Sequence, residues 1–186
     1  LMTDDLALQE QAYYNRGNAY YGKGAFDRAI EDFGKALAID PKDVDAYNNR
    51  GWALTQKQDY DRAIEDFSRA LELNSEYALA YYNRGNAFLK KGSADRAIKD
   101  LTKAIELNPE YSLAYFQRAN AYFSKNELDR ALEDYNNSAK INPSYADVYN
   151  NRGWVFFTKG NSALALRDIS KAISLNPDLS RAYANR

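Results

Sequence analysis

Carboxamide side chains recur along the chain at a fixed spacing of 34 residues. One row has an amide at every step: Asn15, Asn49, Asn83, Gln117, Asn151 and Asn185. A primary amide carries both hydrogen-bond donors and an acceptor, so such a row can pair with successive peptide groups of an extended polypeptide. The alternative is that the amides bond to one another between repeats. The spacing alone leaves both interpretations open.

Aromatic and further polar residues flank this row. Three residues later, and so on the same face of a helix, stand Asn18, Trp52, Asn86, Asn120 and Trp154. One residue earlier stand Tyr14, Asn48, Tyr82, Phe116 and Asn150. Aromatic rings add apolar contact, and their polar tips orient a ligand. Trp52 and Trp154 favour a binding role, because they are poorly explained as core residues.

Catalytic chemistry is not expected. The 186 residues include no Cys and no His, which removes thiolate chemistry, the commonest general base and the commonest metal ligand. No nucleophile with its base, no metal-ligand set and no phosphate-binding loop is recognisable, so we expect a non-enzyme without cofactor or metal. The 25 basic residues are interleaved with 26 acidic ones, and this near-neutral balance argues against a nucleic-acid partner.

An Arg and an Asp also recur with the same period. The Arg column is Arg16, Arg50, Arg84, Arg118, Arg152 and Arg186, and sixteen residues after each of the first five comes Asp32, Asp66, Asp100, Asp134 or Asp168. A core-facing Arg needs an acidic partner, because an unpaired buried charge is costly. The partner could belong to the same repeat or to the next, as in Asp32 with Arg50. A basic row that binds an anionic ligand is the alternative. An Asp sixteen residues after each of the first five Arg favours structural pairs.

These rows are positioned by two helices in each repeat. The first runs from Gln11 to Lys23 and stops at Gly24. The second runs from Phe26 to Ile39 with apolar residues at i, i+3 and i+4 spacing, and Asp40-Pro41 ends it. The repeats are 10–43, 44–77, 78–111, 112–145 and 146–179, with a lead-in at 1–9 and part of a sixth repeat at 180–186. Units of this length must stack to bury their apolar faces, which predicts a solenoid.

Two columns of small or turn-forming residues carry further expectations. Gly17, Gly51, Gly85 and Gly153, with Ala119 in the fourth repeat, stand in mid-helix, where we expect them to face Ala29 and its equivalents at close approach. The turns within the helix pairs contain Gly24, Gln58, Gly92, Asn126 and Gly160. Gln58 is the exception among them, and we expect its turn to be less sharply fixed.

The columns resemble the tetratricopeptide repeat family, whose 34-residue unit has aromatic, Gly, Ala and Pro positions at fixed offsets. The second repeat supplies Tyr47, Arg50-Gly51, Leu54, Ala63, Phe67, Ala70 and Leu71. The resemblance covers residues 10–186, with Arg in the place where the family usually has Leu before Gly. It implies a single all-α domain, a right-handed superhelical solenoid of antiparallel helix pairs.

The resemblance also implies where a ligand binds, since the first helix of each pair lines the concave groove in this family. The candidate groove residues are Tyr14, Asn15, Asn18, Asn48, Asn49, Trp52, Tyr82, Asn83, Asn86, Phe116, Gln117, Asn120, Asn150, Asn151 and Trp154. Some family members hold a carboxylate with Lys and Arg on these rows. Here only Lys90 and Arg181 are cationic, so a carboxylate clamp is not expected.

The sequence therefore predicts a protein–protein interaction scaffold that binds an extended peptide or partner segment. One alternative is a homo-oligomeric scaffold that self-assembles end to end through residues such as Leu179 and Tyr183. Another is a non-catalytic repeat region of a larger protein, because Arg186 falls inside a repeat. No apolar run approaches the roughly 18 residues of a membrane span. No signal-peptide pattern opens the chain. Both observations favour the cytoplasm and argue against membrane insertion.

Overall fold

The computed structural model describes residues 2–185, with side chains from residue 5 onward, and Arg186 of the Arg column lies outside that range. Within it the fold is all-helical, as predicted. The helices are α1 (Met2–Gly22), α2 (Phe26–Ile39), α3 (Val44–Gln56), α4 (Tyr60–Leu73), α5 (Ala78–Lys90), α6 (Ala94–Leu107), α7 (Ser112–Ser124), α8 (Leu128–Ile141), α9 (Ala146–Thr158), α10 (Ser162–Leu175) and α11 (Ser180–Asn185).

The helices group into two compact units. The first unit contains α1 to α5 and the second contains α6 to α11, so the two helices of the third repeat belong to different units. Within each unit, complete repeats are antiparallel pairs, such as α1 with α2 and α9 with α10. The single continuous domain expected for residues 10–186 stays a prediction.

Helix boundaries follow the sequence signals closely except at the start. The helix α2 spans Phe26–Ile39, as predicted, and the Asp40 preceding Pro41 has an extended backbone. The other second helices that precede an Asn-Pro pair end likewise, at Leu107, Ile141 and Leu175. Residues 2–9, expected to be a lead-in, are instead helical and continuous with α1.

The turn inside each helix pair contains one residue with a left-handed backbone conformation, at the same position of the repeat. The φ angles are 70° at Gly24, 74° at Gly92 and 79° at Gly160, and they are 63° at Gln58 and 61° at Asn126. The looser turn expected at Gln58 is not observed. The reason is a pair of backbone bonds, Gln58 N to Thr55 O and Asp59 N to Leu54 O, both 3.0 Å, which fix the turn without glycine.

Mid-helix glycines of the first helices lie against large buried side chains of the second helices. A Cβ built at Gly17 would lie 2.8 Å from Phe33 Cε1, and one built at Gly51 would lie 2.8 Å from Phe67 Cε1. These two glycines therefore face the residue one helical turn beyond Ala29 and Ala63. A Cβ at Gly153 would lie 2.9 Å from Ile169 Cγ1 and 3.1 Å from Ala165 O, so there the expected closeness to the alanine column is found. Phe33 and Phe67 are fully buried, and the two helices of each of these repeats pack closely at these rings.

The Arg–Asp columns form ion pairs within a repeat. Arg16 pairs with Asp32 through Nε–Oδ2 (2.6 Å) and Nη2–Oδ1 (2.9 Å). Arg50 with Asp66, Arg118 with Asp134 and Arg152 with Asp168 repeat this two-point geometry. The four Asp residues are buried. Of the two pairings left open by the sequence, the one within the same repeat is therefore the one adopted.

Guanidinium groups of the Arg column also reach the second helix of the preceding repeat. Arg84 Nη1 donates to Ser68 Oγ (3.0 Å), and Arg118 Nη1 donates to Thr102 Oγ1 (3.0 Å). The equivalent residue for Arg50 is Gly34, which has no side chain to accept a hydrogen bond. Each guanidinium further lies over the ring of the Tyr three residues earlier, 5.6 Å away for Arg50 over Tyr47. With its positive charge satisfied inside the fold, this row supports the structural interpretation over anion binding.

Candidate binding site

The amide side chains of the second unit bond to one another head to tail along α11, α9 and α7. Asn185 Nδ2 donates to Asn150 Oδ1 (2.9 Å), and Asn150 Nδ2 donates to Asn151 Oδ1 (3.0 Å). Asn151 Nδ2 then donates to Asn120 Oδ1 (3.0 Å), and Asn120 Nδ2 donates to Gln117 Oε1 (3.0 Å). We call these five residues the amide chain of the second unit.

The first unit has a corresponding amide chain of four residues, three repeats earlier. Asn83 Nδ2 donates to Asn48 Oδ1 (2.9 Å), Asn48 Nδ2 to Asn49 Oδ1 (3.2 Å), and Asn49 Nδ2 to Asn18 Oδ1 (3.2 Å). The amides of neighbouring repeats therefore do form hydrogen bonds with one another. This bonding does not exhaust the row, because an amide has two N–H groups and two lone pairs, and these bonds use one N–H and one lone pair of Asn151, for example. The bonds hold the amides in fixed orientations.

One phenol hydroxyl joins each amide chain, and the two units supply it from different helices. In the first unit Tyr14 on α1 accepts from Asn49 Nδ2 (3.1 Å), and its ring meets Phe33 edge-on at 5.9 Å. In the second unit the equivalent pair is Phe116 with Tyr135, also 5.9 Å apart, with Tyr and Phe exchanged. There the Tyr135 hydroxyl donates to Asn120 Oδ1 (2.6 Å). Burial raises the pKa of Tyr135, so this donor stays protonated through neutral pH.

We call the amide chain of each unit, together with its tryptophan (Trp52 or Trp154), the amide face. The two tryptophans have different surroundings. Trp52 is half-buried: it packs against the core of the first unit around Leu54 and Phe67, and its ring lies 6.4 Å from that of Tyr21. Trp154 is 40% exposed and stacks on Phe157, which is 55% exposed, with ring centroids 5.3 Å apart. Trp52 thus contributes to the core, whereas Trp154 presents aromatic surface to solvent.

A cavity of about 260 Å³ lies beside Trp154 in the second unit. Its aromatic lining comes from Phe123 on α7, Tyr135 on α8 and Trp154 on α9. Its polar lining comes from the amide chain and from one cation: Asn120, Asn150, Asn151, Arg181 and Asn185. The cavity therefore brings together amides and a tryptophan that the sequence predicts as binding residues.

The charge at this cavity is balanced. Arg181 on α11, 57% exposed at its side chain, forms an ion pair with Asp147 on α9. The positive charge of Arg181 is therefore balanced by Asp147, and the absence of a carboxylate clamp stays a prediction.

The remaining candidate residues divide by burial. Asn48, Asn83, Phe116 and Asn150 are buried, so they act chiefly as supports for their neighbours. Asn15 is exposed, and its Oδ1 accepts from Gln11 Nε2 (3.3 Å). Tyr82 and Asn86 are half-buried on α5. Whether these side chains contact a ligand stays a prediction.

Four cavity residues were not among the predicted site residues: Phe123, Tyr135, Arg181 and Asn185. Phe123 and Asn185 belong to rows of the first helices, so the repeat pattern could have predicted them. Tyr135 belongs to a second helix, and its signal is a hydroxyl in a column that otherwise reads Phe33, Phe67, Leu101 and Ile169.

Among the described residues, no three or more carboxylates come together in a way that could hold a metal ion. Over the same range, no helix combines the length and apolar character that a bilayer crossing requires.

Family profiles match along the chain. A tetratricopeptide repeat profile matches residues 10–43, 78–111 and 146–179. A related TPR repeat profile matches residues 51–92 and 119–160, and a third matches 33–65 and 101–133. No curated protein sequence shows significant similarity to the chain.

Several solved structures are similar in both sequence and fold. MamA is 30% identical, with 89% of this chain and 96% of that chain covered and a TM-score of 0.79. YrrB, described as a TPR protein with an unusual peptide-binding site, is 29% identical, with 92% and 89% covered and a TM-score of 0.74. PilF from Pseudomonas aeruginosa is 20% identical, with 100% and 83% covered and a TM-score of 0.86, a likeness of fold alone.

Proposed function

Because the chain belongs to the tetratricopeptide repeat family, we propose that it is a protein-interaction scaffold that binds an extended peptide or partner segment along its amide face. The observation that carries the proposal is the coincidence of a fixed amide chain with an open cavity and exposed aromatic rings in the second unit. Extended peptides have an unpaired donor and acceptor at every residue, which amides match.

The amide face is suited to binding because its side chains are ordered before a ligand arrives. An Asn that is already held by its neighbours loses less conformational freedom on binding than one that is free to rotate. Asn151, for example, is fixed through both ends of its amide, by Asn150 and by Asn120. The likeness to YrrB, itself described as having a peptide-binding site, supports the same proposal.

We further propose that the described part of the chain works by binding alone and is not an enzyme. Many of its charged side chains form ion pairs, such as Arg152 with Asp168. The cavity offers amides, aromatic rings and a paired Arg, which can orient a ligand but supply no nucleophile or general base at neutral pH.

The test is selection of a random peptide library on the purified protein. Selected peptides should bind the wild type and a Lys171→Ala control equally, because Lys171 is exposed on α10 and does not line the cavity. Their affinity should fall at least about tenfold for an Asn151→Ala/Trp154→Ala variant whose circular dichroism is unchanged. Failure to select any peptide, or equal binding by the double variant, would contradict the proposal.

A second candidate, association with another copy, is favoured by one observation. Four large apolar side chains on α9, α10 and α11 are between 40% and 55% exposed: Trp154, Phe157, Leu166 and Tyr183. Exposed apolar surface of this kind marks interaction sites. Leu179, expected to belong to such a surface, packs instead against the core cluster around Ile169. Sedimentation of wild type and Leu166→Ser/Tyr183→Ser decides: a larger mass for the wild type alone supports self-association, and a monomer in both contradicts it.

A further inference from the structure

The two tryptophans have different neighbours. Trp52 packs against a cluster that includes Ala87 of α5, and two further differences lie at equivalent positions of the two units. Trp52 lies against Tyr21, and the next ring position on its own helix is occupied by Thr55, buried with its Oγ1 bonded to Gly51 O at 2.9 Å. Three repeats later the equivalents of Tyr21 and Thr55 are Phe123 and Phe157. Trp154 stacks on Phe157, on its own helix, and the cavity is lined by both Trp154 and Phe123.

We propose that this cavity binds one aromatic side chain with a polar tip, above all tyrosine, from the partner peptide. The proposal rests on the proposed function, because it names the side chain that the same surface selects. The equivalent place in the first unit is expected not to bind one, since there Trp52 packs onto its own unit's core and contacts Tyr21.

The size of the cavity sets the class of ligand. Its volume of about 260 Å³ lies just below the roughly 300–1,000 Å³ of pockets that hold a drug-sized molecule. A single amino-acid side chain fits this space, whereas a nucleotide or a large cofactor does not.

The walls favour a planar side chain. Phe123, Tyr135 and Trp154 supply rings on three helices, and the Trp154 and Phe157 rings already form an exposed stack that a further ring can extend. Aromatic rings attract one another in offset or edge-on geometry beyond the effect of buried area, an advantage that an aliphatic side chain lacks.

The amide lining favours a polar tip. Burying an apolar group against Asn120, Asn150, Asn151 and Asn185 would remove water from amide groups and give nothing in exchange. A phenol hydroxyl can both donate to and accept from an amide, so it replaces that water. The Tyr135 hydroxyl bound to Asn120 Oδ1 shows the same pairing inside the protein.

The charges disfavour an acidic side chain. The one cation of the cavity, Arg181, is already paired with Asp147. An incoming carboxylate would gain Arg181 only by approaching Asp147, whose negative charge repels it.

The two indole N–H signals of the ¹⁵N-labelled protein test the proposal, because Trp52 and Trp154 are the two tryptophans of the chain. Trp52→Phe and Trp154→Phe variants assign the signals, and the titrations use the wild-type protein. The probes are the N-acetyl amides of tyrosine, phenylalanine, leucine and glutamate. Tyrosine should move the Trp154 signal and leave that of Trp52 in place. It should bind about fivefold more tightly than phenylalanine, the gain expected from one net hydrogen bond.

Three results would overturn the proposal: no movement of the Trp154 signal with the tyrosine amide, an equal response to the leucine or glutamate amide, or an equal response at Trp52. A matched pair of variants adds a second readout. Phe123→Leu should weaken tyrosine binding, and the equivalent Tyr21→Leu in the first unit should not. Failure of this proposal is distinguishable from failure of the proposed function. Library peptides that bind without an aromatic residue and tolerate Trp154→Leu would refute the tyrosine site alone.

Discussion

Arg50 and Asp66 form a two-point ion pair that joins the two helices of one repeat, with Nε–Oδ2 at 2.8 Å and Nη2–Oδ1 at 2.7 Å. Asp66 is buried, whereas about a quarter (24%) of the Arg50 side-chain surface remains exposed. Removing the Arg and removing the Asp therefore have different effects. Loss of the Arg leaves a carboxylate inside the fold, and loss of the Asp leaves a cation that can still reach water.

Asp66→Ala is expected to lower the free energy of unfolding by about 3 kcal/mol, the lower end of the range for breaking a buried pair, because Arg50 is partly exposed. Urea titration measures the change. Arg50→Met/Asp66→Leu is the control, since apolar replacement of both partners removes the uncompensated charge and should recover much of the loss. An unchanged midpoint for Asp66→Ala would contradict the structural role of the pair.

The Arg16–Asp32 pair makes a contribution that depends on pH. Hydrogen bonds from Arg16 lower the pKa of Asp32, although burial of the carboxyl opposes this shift. A carboxyl whose folded pKa is depressed stabilises the protein fully above its unfolded pKa of about 3.9 and loses that effect as pH falls toward the folded value. The stability difference between wild type and Asp32→Asn should therefore be largest near neutral pH and shrink in acid. A difference that is constant from pH 7 to pH 3 would exclude this linkage.

Two helix glycines should respond to alanine with opposite signs. A Cβ at Gly51 would lie 2.8 Å from the Phe67 ring, whereas one at Gly34 would lie 3.7 Å from Arg50 Nη1, an ordinary contact. Gly34→Ala should stabilise by about 0.5–1 kcal/mol through helix propensity. Gly51→Ala should destabilise by about 1 kcal/mol, because overpacking of the ring exceeds that gain. Thermal melts of the two variants decide, and a shift of the same sign in both would contradict the ring-contact argument.

The turn at Gln58 is an opportunity for stabilisation. Its φ of 63° is one that costs a residue with a side chain roughly 1–2 kcal/mol. Gln58→Gly removes that strain but adds backbone freedom to the unfolded chain, so a net gain of about 0.5–1 kcal/mol is expected. Asn126, at φ 61°, is the matched control. Asn adopts this conformation readily, so Asn126→Gly should gain less. Equal gains in the two variants would show that side-chain strain is not the cause.

The repeat pattern was sufficient to predict the helix pairs and the Arg–Asp pairs, because both depend on residues that recur at every step. It could not choose between the two partners of an Arg, since the 34-residue period places an Asp near it in either scheme. Nor could it separate Trp52 from Trp154. The two share one column, but Trp52 has Tyr21, Thr55 and the cluster around Ala87 as neighbours, whereas Trp154 has Phe123 and Phe157. Contacts between residues of different columns therefore distinguish one repeat from another. The family pattern describes each column separately and does not include them.

The exchange of Tyr and Phe between the units leads to a prediction about the amide chain. Tyr135 is buried and its hydroxyl donates to Asn120 Oδ1 at 2.6 Å, so Tyr135→Phe should cost about 1 kcal/mol, the net value of one hydrogen bond. In the first unit the hydroxyl comes instead from Tyr14, across the ring pair from Phe33. Adding Phe116→Tyr to Tyr135→Phe copies that arrangement and should recover most of the lost stability.

Chemical denaturation of the wild type, the two single variants and the double variant forms a double-mutant cycle for this exchange. Coupling that favours the double variant shows that either helix can supply the one hydroxyl that the amide chain requires. Simple additivity of the two changes would mean that the Phe116 position cannot reach the amides, and that the correspondence between the two units ends at the rings.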